Sequence, residues 1–261
     1  MMRSLSTAAT GMEAQQTRLD VTSNNIANVS TNGFKKQRAE FADLMYQQTR
    51  APGAGAAGGG TTPIGLQVGL GVRVAGTQQM HSEGDLKQTG NPLDVAIQGN
   101  GFFQITQPSG GVAYTRDGAL KLDPEGRLVT TDGMPLVGDI TIPPDATNVT
   151  IGSDGRVSVT VPGSPTPVDA GQIELATFAN PAGLAAQGNN LFTETPASGT
   201  PITGAPGTSG IGSVQQGMLE LSNVKVVEEM IDLIAGQRAY EVNSRVVKAA
   251  DEMLQQTANL R

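Results

Sequence analysis

The chain has 261 residues with 17 Lys+Arg and 24 Asp+Glu, a formal net charge of −7, and this length allows one or two domains with a sizeable core. It contains no Cys, no Trp and a single His, which excludes disulfides, thiol nucleophiles, thiolate zinc sites and multi-histidine metal sites. The acidic balance and an aromatic content of 3% argue against a nucleic-acid groove, which needs basic and stacking side chains. We therefore expect no nucleic-acid partner, no cofactor and no metal.

The N-terminal 30 residues predict one long helix. Leu5, Ala8, Met12, Gln15, Leu19, Thr22, Ile26 and Val29 recur at alternating spacings of three and four, which is the heptad pattern of a helix that packs along one seam. Asn32-Gly33 is a stop signal, since glycine closes a helix well. The stretch has no continuous apolar core, so we expect no secretory signal peptide.

The C-terminal residues predict a second long helix, with Ser222 as its N-cap. Its apolar stripe is interrupted by a stutter, where a strict coiled coil unwinds locally, and it consists of Val224, Val227, Ile231, Ala235, Ala239, Val242, Val246, Ala249, Met253 and Leu260. Each seam offers about five large apolar side chains worth ~1.5–3 kcal/mol apiece when buried. Ordering roughly 30 residues costs more than that, so we expect each helix to need partners.

The middle of the chain predicts a sheet. All 15 Pro and 31 of the 34 Gly lie between residues 51 and 217, which excludes long helices there. Apolar runs at 119–122, 127–130, 134–137, 149–151 and 157–161 alternate with Asp-Gly and Pro-Glu-Gly turns, as in an antiparallel β domain. The low-complexity stretch 51–62 is typical of a flexible linker.

Two other features have simple structural explanations. His81 lies in a polar run, and we predict a surface or turn residue rather than a catalytic base. Asn24, Asn25 and Asn28 are poor interior helix residues. They indicate either fraying toward the Asn32-Gly33 stop or amides that hydrogen-bond between packed helices and fix their register.

Three motifs resemble a known family. The segments 23–35 (SNNIANVSTNGFK), 91–103 (NPLDVAIQGNGFF) followed by YTRDG at 114–118, and 237–243 (QRAYEVN) are similar to the N-terminal, central and C-terminal signatures of the bacterial flagellar rod and hook family. Their order is that of the family and they span nearly the whole chain. Within the family, the length and the segment 44–67 resemble the distal-rod members, with a hook or another rod axial subunit as the alternative.

The resemblance implies a structural role and no enzyme activity. It implies a helical polymer of this chain that forms a rigid tube, transmits motor torque to the hook and provides an export channel. The implied partners are other copies, proximal rod proteins, the hook protein, the peptidoglycan-layer and outer-membrane ring proteins, the rod cap and the flagellar type III export apparatus. The implied location is the periplasm-spanning rod of the basal body, reached without signal-peptide cleavage.

The predicted fold class is α+β, with three regions. A discontinuous, coiled-coil-like helical domain combines 1–35 with 219–261, an extended β connector combines 36–72 with 205–218, and a central antiparallel β domain covers 73–204. The self-association residues expected on the helices are Leu5, Met12, Leu19, Asn24, Asn25, Ile26, Asn28, Val29, Val224, Val227, Ile231, Val242, Val246 and Met253. In the connector, the resemblance implies a rod-stiffening segment at 46–67 that includes Arg50, Pro52, Gly53, Pro63 and Leu66.

Overall fold

The computed structural model describes residues 2–52, 64–138, 140–163, 166–208 and 210–259. Contacts within the chain divide it into two compact units. The first, the helical unit, contains Met1–Ala27, Gln37–Gln78 and Lys225–Arg261, and the second, the sheet unit, contains Asn28–Lys36 and Gln79–Val224. The structure confirms the predicted α+β class, with helix at the chain ends and a β-rich middle.

Among its described residues, the helical unit has two long helices and four strands. They are α1 (Met2–Ala27), β1 (Gln37–Asp43), β2 (Tyr46–Arg50), β3 (Leu66–Gly69), β4 (Val72–Gln79) and α2 (Val226–Asn259). β1 pairs with β4, and β2 pairs with β3 in antiparallel register, with Tyr46 opposite Gly69. Neither described helix combines the length and apolar character needed to cross a membrane.

Both helices are shorter than predicted at the ends that face the middle of the chain. α1 ends at Ala27, and turns carry the chain to Gly33, whose φ of +68° favours glycine. α2 begins at Val226 rather than directly after Ser222. The Ser222 hydroxyl instead accepts a 3.3 Å hydrogen bond from the Val224 backbone N–H, so it closes a turn before the helix.

Where the structure describes it, the sheet unit has fifteen short strands and one 3₁₀ turn at Pro181–Gly183. In chain order the strands are β5 (Leu86–Gln88), β6 (Val95–Gln98), β7 (Phe102–Thr106), β8 (Val112–Thr115), β9 (Lys121–Leu122), β10 (Leu128–Val129), β11 (Asn148–Ile151), β12 (Arg156–Thr160), β13 (Val168–Gln172), β14 (Leu175–Thr177), β15 (Ala185–Gly188), β16 (Leu191–Thr193), β17 (Ile202–Gly204), β18 (Ser213–Gln216) and β19 (Met218–Glu220).

These strands form one large antiparallel sheet and several small ones. The large sheet has the order β15-β16-β8-β7-β14-β17, and a second sheet has the order β11-β12-β13. β9 pairs with β10, β6 with β18, and β5 with β19. The predicted hairpins around residues 123–126 and 153–155 are confirmed by the antiparallel pairs β9–β10 and β11–β12, whereas 134–137 forms only isolated bridges.

The main core of the sheet unit lies between these sheets. It contains fully buried aliphatic and aromatic side chains such as Ile97, Phe103, Val157 and Leu175. A second, aromatic cluster contains Phe102, Tyr114, Ala176, Phe178, Leu184 and Phe192. Successive residues of β7 point to opposite faces of its sheet, so Phe103 and Ile105 join the main core and Phe102 joins the aromatic cluster.

Candidate functional site

α1 and α2 pack against each other along a row of small and polar residues on α2. Arg18 donates to the Asp232 carboxylate at 2.6 Å. Leu19 lies so close to Gly236 that a Cβ there would be 3.0 Å from its side chain, and Gly11 meets Asn243 in the same way at 2.9 Å. Glycine inside a helix costs stability relative to alanine, so its use here reflects the close approach of two helices.

The apolar seam predicted on α1 is partly covered by the rest of the chain. Leu5, Met12, Leu19 and Ile26 are half-buried, while Ala8 and Thr22, which belong to the same seam, are buried. Val29 lies beyond the helix end, in the turns of the sheet unit, and is half-buried.

The three asparagines of the N-terminal motif have different environments. Asn25 is 2% exposed and holds the backbone of Gln37 from both sides, donating to its carbonyl and accepting from its N–H, each at 2.9 Å. Its amide also donates to the Glu229 carboxylate on α2 at 3.0 Å. Asn24 is exposed, and the Asn28 side chain accepts a 3.3 Å hydrogen bond from the Thr31 hydroxyl.

The apolar stripe predicted on α2 does not form the contact with α1. The α2 residues that touch α1 through the interactions above are Glu229, Asp232, Gly236 and Asn243, spaced by three, four and seven. The stripe lies elsewhere on the helix and is exposed: Val227 by 70%, Ile231 by 62%, Val242 by 53%, Met253 by 48% and Val246 by 42%. Only Val224, which precedes the helix, is buried.

This exposed face extends beyond the stripe. Met230 and Ile234 are 53% and 48% exposed, so large aliphatic side chains follow the first two turns of α2 without cover. A continuous exposed apolar surface of this kind marks an interaction site.

The covered apolar residues of α2 include Leu233, Val247, Ala250 and Leu254, which share the helix face of Gly236 and Asn243. The predicted stripe lies on a different face, and the glycine in mid-helix was the local signal of close packing.

The segment 46–67 begins and ends as a β-hairpin. Arg50 lies opposite Leu66 in the β2–β3 pair, and its guanidinium reaches the Ile64 carbonyl at 3.5 Å. Pro52 is in an exposed turn, and Leu66 is 53% exposed. Gly53 and Pro63 lie outside the described residues.

Exposed apolar side chains concentrate at this hairpin. Met45 is 83% exposed, Ile64 73% and Tyr46 57%, and every residue of β2 is exposed. Apart from the half-buried Gly69, the described residues of β2 and β3 are exposed, so this strand pair offers surface to a partner.

The sheet unit contains a buried ionic cluster that the sequence analysis did not identify. The Glu220 carboxylate accepts hydrogen bonds from Lys35 Nζ and from Arg116 Nη1, the latter at 3.2 Å. The side chains of Lys35 and Glu220 are fully buried and that of Arg116 is 3% exposed. Burial lowers the pKa of Lys35, while Glu220 opposes that effect.

The cluster fixes two chain segments that adjoin the helices in sequence. Lys35 follows α1 and also donates to the Ser82 carbonyl at 2.7 Å, whereas Glu220 lies in β19, six residues before α2. The Gly33 N–H donates to the Glu220 carbonyl at 2.8 Å. A buried charge is costly unless it is paired in this way. The cluster therefore fixes the positions of these two segments relative to each other.

His81 is not the surface residue predicted from its polar neighbours. Its ring packs edge-on against Phe102 and Phe192, with ring centroids 5.5 and 5.4 Å apart. Burial, together with the nearby cations Lys35 and Arg116, lowers its pKa to about 4. The strand pairing that brings aromatic residues from β7 and β16 around it is not visible in local sequence.

None of the described residues forms a group of three or more acidic or histidine side chains able to hold a metal ion. Most of the exposed large apolar side chains of the described residues lie on α2 and at the β2–β3 hairpin.

Three family models match the chain. A flagella basal body rod protein model matches residues 5–35, a flagellar hook protein FlgE/F/G D1 domain model matches 96–159, and a flagellar basal body rod FlgEFG protein C-terminal model matches 215–260. These matches overlap the three motifs on which the resemblance was based.

The chain is also similar to curated proteins along its whole length. It is 49% identical to the flagellar basal-body rod protein FlgG of Buchnera aphidicola subsp. Schizaphis graminum and 49% identical to that of Caulobacter vibrioides, with 100% of both chains covered in each case. It is 47% identical to the flagellar basal-body rod protein FlgG of Borreliella burgdorferi, over 100% of this chain and 99% of the relative. The chain belongs to the FlgG family of flagellar basal-body rod proteins.

Proposed function

We propose that the chain is a structural subunit of the distal rod, which assembles into a rigid helical tube that transmits motor torque to the hook and encloses an export channel. The FlgG family and the match over the full length support this assignment. The exposed apolar face of α2 is the observation that carries the mechanism, because a surface of this kind requires a partner.

In this proposal the terminal helices pack with those of neighbouring subunits into a coiled-coil-like inner layer. Each half-exposed Val, Ile or Met on α2 gains about 1–2 kcal/mol when a neighbour covers it. Repeated along the helix, this gain offsets the entropy that a long helix loses on ordering. Assembly and the ordering of the helical ends are then coupled, with residues 1–35 and 219–261 acting as one domain.

The remaining regions take the other roles of a rod subunit. Residues 36–72 with 205–218 form the connector, and 73–204 form an outer β domain. Within the connector, 46–67 stiffens the tube by packing against an adjacent subunit, and the exposed Met45, Tyr46, Ile64 and Leu66 supply the apolar contact.

The proposed partners follow from the position of a distal rod. They are other copies of the chain, proximal rod proteins, the hook protein, the ring proteins of the peptidoglycan layer and outer membrane, the rod cap and the type III export apparatus that delivers the uncleaved subunit. The role is mechanical and not enzymatic. A hook subunit or another axial subunit is the alternative assignment.

One substitution tests the mechanism. Ile231→Glu places a charge in the exposed face of α2, so we expect the thermal unfolding of the monomer to stay unchanged and the critical concentration for polymerisation to rise at least tenfold. Gln237→Glu, an exposed α2 residue outside the stripe, is the matched control and should polymerise like the parent. Electron microscopy and sedimentation measure both. Equal polymerisation of the two variants would contradict the proposed interface.

A further inference from the structure

The exposed face of α2 carries two cations as well as apolar side chains. Arg238 lies seven residues after Ile231 and four before Val242, and Arg245 lies seven residues after Arg238. Residues four or seven positions apart share one face of a helix, and both arginines are exposed. A partner that covers this face must therefore supply negative charge together with apolar contact.

Neither arginine is neutralised within the part of the chain that the structure describes. The ion pairs found there involve neither guanidinium group. Glu241 lies between Arg238 and Arg245 in sequence and is exposed, but it takes no part in those ion pairs. Along residues 231–246 this side of α2 therefore carries two cations and one carboxylate, which is a net positive charge.

α1 carries two exposed carboxylates at the same spacing. Glu13 and Asp20 are seven residues apart and exposed, so they share one face of α1 and are separated by about 10.5 Å along the helix axis. Arg238 and Arg245 have the same separation on α2. Among the described residues neither carboxylate takes part in an ion pair. The two helices therefore carry opposite charges at matching intervals.

The charged faces of α1 and α2 point away from the contact between the two helices. Glu13 follows Gly11 by two positions, and Arg245 follows Asn243, the residue that Gly11 approaches, by two positions. Two positions turn a helix by about 200°, so Glu13 and Arg245 lie on the outer sides of the helix pair. The second member of each charged pair shares its face, because it lies seven residues away. An acidic face and a cationic, apolar face thus lie on opposite sides of the pair.

Complementary faces on opposite sides of a subunit favour head-to-tail association. Two copies that dock in this way leave one face of each kind free, so the contact repeats and generates a ring or a helical polymer. The acidic face of α1 also has room for large aliphatic side chains, because Ser6 and Ala9, seven and four residues before Glu13, are small and exposed. Charge, size and geometry therefore identify the same partner, which is α1 of another copy.

We propose that the exposed face of α2 docks onto α1 of a second copy, where Arg238 pairs with Asp20 and Arg245 pairs with Glu13. The proposal rests on the proposed polymerisation and names the element that covers this face. Complementary charges across an interface fix its register and exclude wrong partners. The apolar stripe then supplies the contact area, and the two ion pairs determine how the helices align.

The direction of the helices determines which charges meet. Contacts within the chain join Gly11 to Asn243 and Asn25 to Glu229, so α1 and α2 are antiparallel. Every copy in a helical polymer has the same direction along its axis, so α1 of one copy is also antiparallel to α2 of the next copy. In that arrangement the earlier carboxylate of α1 meets the later arginine of α2.

Introduced cysteines test this alignment, because the natural chain has no Cys. Polymers assembled from equal amounts of E13C copies and affinity-tagged R245C copies should give mixed disulfide dimers on mild oxidation, as should D20C with R238C. E13C with R238C is the matched control, since this pair is displaced by about 10.5 Å along the helices, which is farther than a disulfide can span. Equal cross-linking of the control and the matched pairs would contradict the alignment.

Charge reversal supplies the second test. R238E/R245E should raise the critical concentration for polymerisation at least about tenfold, while the circular dichroism of the monomer stays unchanged. R238K/R245K keeps both charges and should remain within about threefold of the parent. E13K/D20K should also weaken polymerisation. Combining it with R238E/R245E exchanges the charges across the interface, so the combined chain should recover to within about threefold of the parent.

The outcomes separate this proposal from the rod function. A parent chain that fails to polymerise would overturn both. If the parent polymerises and R238E/R245E behaves like R238K/R245K, the docking proposal is overturned and the rod function stands. Weak polymerisation of R238E/R245E that E13K/D20K does not restore would also overturn the docking proposal, because the arginines would then contact a surface other than α1. Recovery in the combined chain, together with the matched cross-links, would establish α1 of a second copy as the partner.

Discussion

Glu220 is the residue on which the buried charge of the sheet unit depends. Its carboxylate is bound to both Lys35 and Arg116, and none of the three side chains is more than 3% exposed. Removing one member of a buried ionic group leaves the other charges unpaired in a poorly solvated interior. The stability of the segments that adjoin the helices should therefore be sensitive to this single side chain.

Glu220→Gln removes the charge while conserving the shape of the side chain. We expect the free energy of unfolding of the sheet unit to fall by roughly 3–5 kcal/mol, measured by urea-dependent hydrogen exchange of amides in β6 and β7. Glu125→Gln is the matched control, because Glu125 is paired with Arg127 at the surface and should cost less than about 1 kcal/mol. Similar losses in both variants would show that the buried cluster contributes no more than a surface pair.

His81 predicts a dependence of stability on pH. Its pKa is about 4 in the folded chain against an ordinary value of 6.5, so the unfolded state binds more protons between these values. Stability then falls as pH drops from about 6.5 toward 4, by at most about 3 kcal/mol. Urea unfolding of the parent and of His81→Gln at pH 7.5, 5.5 and 4 measures this loss as the difference between the two proteins.

The comparison with His81→Gln removes the contribution of other groups. Burial raises the pKa of Asp117, and a raised carboxyl pKa favours the folded state as pH falls, which opposes the effect of His81. Asp117 is present in both proteins and cancels. A parent and variant with parallel pH profiles would mean that His81 titrates normally in the folded chain.

At the scale of elements, Asn25 joins three parts of the helical unit: α1, the start of β1 and the first turn of α2. It makes two hydrogen bonds to the Gln37 backbone and one to Glu229. The amide of asparagine suits this position because it both donates and accepts. Of the two explanations that the sequence left open for the asparagines, hydrogen bonding between packed helices describes Asn25.

Asn25→Ala should lower the free energy of unfolding of the helical unit by about 2–3 kcal/mol, since the half-buried Gln37 backbone loses both partners and the buried Asn25 site is left unfilled. Circular dichroism at 222 nm during thermal unfolding, with hydrogen exchange of α1, measures the change. Gln16→Ala alters an exposed residue of α1 and should stay within about 0.5 kcal/mol of the parent. If the two variants behaved alike, the clamp around Gln37 would be energetically unimportant.

The sequence predicted the existence of elements better than their partners. Periodicity located α1 and α2, and Asp-Gly turns located the β9–β10 and β11–β12 hairpins, because these signals are local. The face of α2 that contacts α1 was missed. Its named interactions are made by Glu229, Asp232, Gly236 and Asn243, and covered apolar residues such as Leu233 and Ala250 lie outside the predicted stripe. An apolar stripe predicts that a helix face is buried. It does not show whether the same chain or a neighbouring chain covers that face.

At the scale of the whole molecule, a local sequence pattern predicts that a surface is apolar, but it does not show which chain covers that surface. The stripe of Val227, Ile231, Val242, Val246 and Met253 is exposed in the single chain, as is the apolar surface of the β2–β3 hairpin. Sequence periodicity could not predict the contacts among Lys35, Arg116 and Glu220 either, because these contacts join residues far apart in sequence. Pairings that depend on tertiary or quaternary contacts lie beyond local patterns.

The stiffness of the tube is expected to depend on the hairpin segment. A helical tube bends when neighbouring strands of subunits slide, so a segment that reaches from one subunit onto the next restrains bending. The 14 residues from Arg50 to Pro63 span at most ~45–50 Å when extended, which suffices for a hairpin of about half that length to reach an adjacent subunit. We expect the exposed Ile64 and Leu66 to become buried on assembly.

Deleting residues 51–62 should leave export and the packing of the terminal helices intact and yield a tube that bends several times more easily. The bending persistence length, measured from electron micrographs of the polymers, is the readout. Replacement of 51–62 by a Gly-Ser segment of equal length is the matched control, because it conserves chain length. If both variants gave a soft tube, the stiffness would come from specific packing of the segment. If the control were stiff and the deletion soft, the stiffness would come from the length of the segment. An unchanged persistence length in the deletion polymer would show that rigidity resides in the helices and the sheet unit, since those are the contacts that the deletion leaves in place.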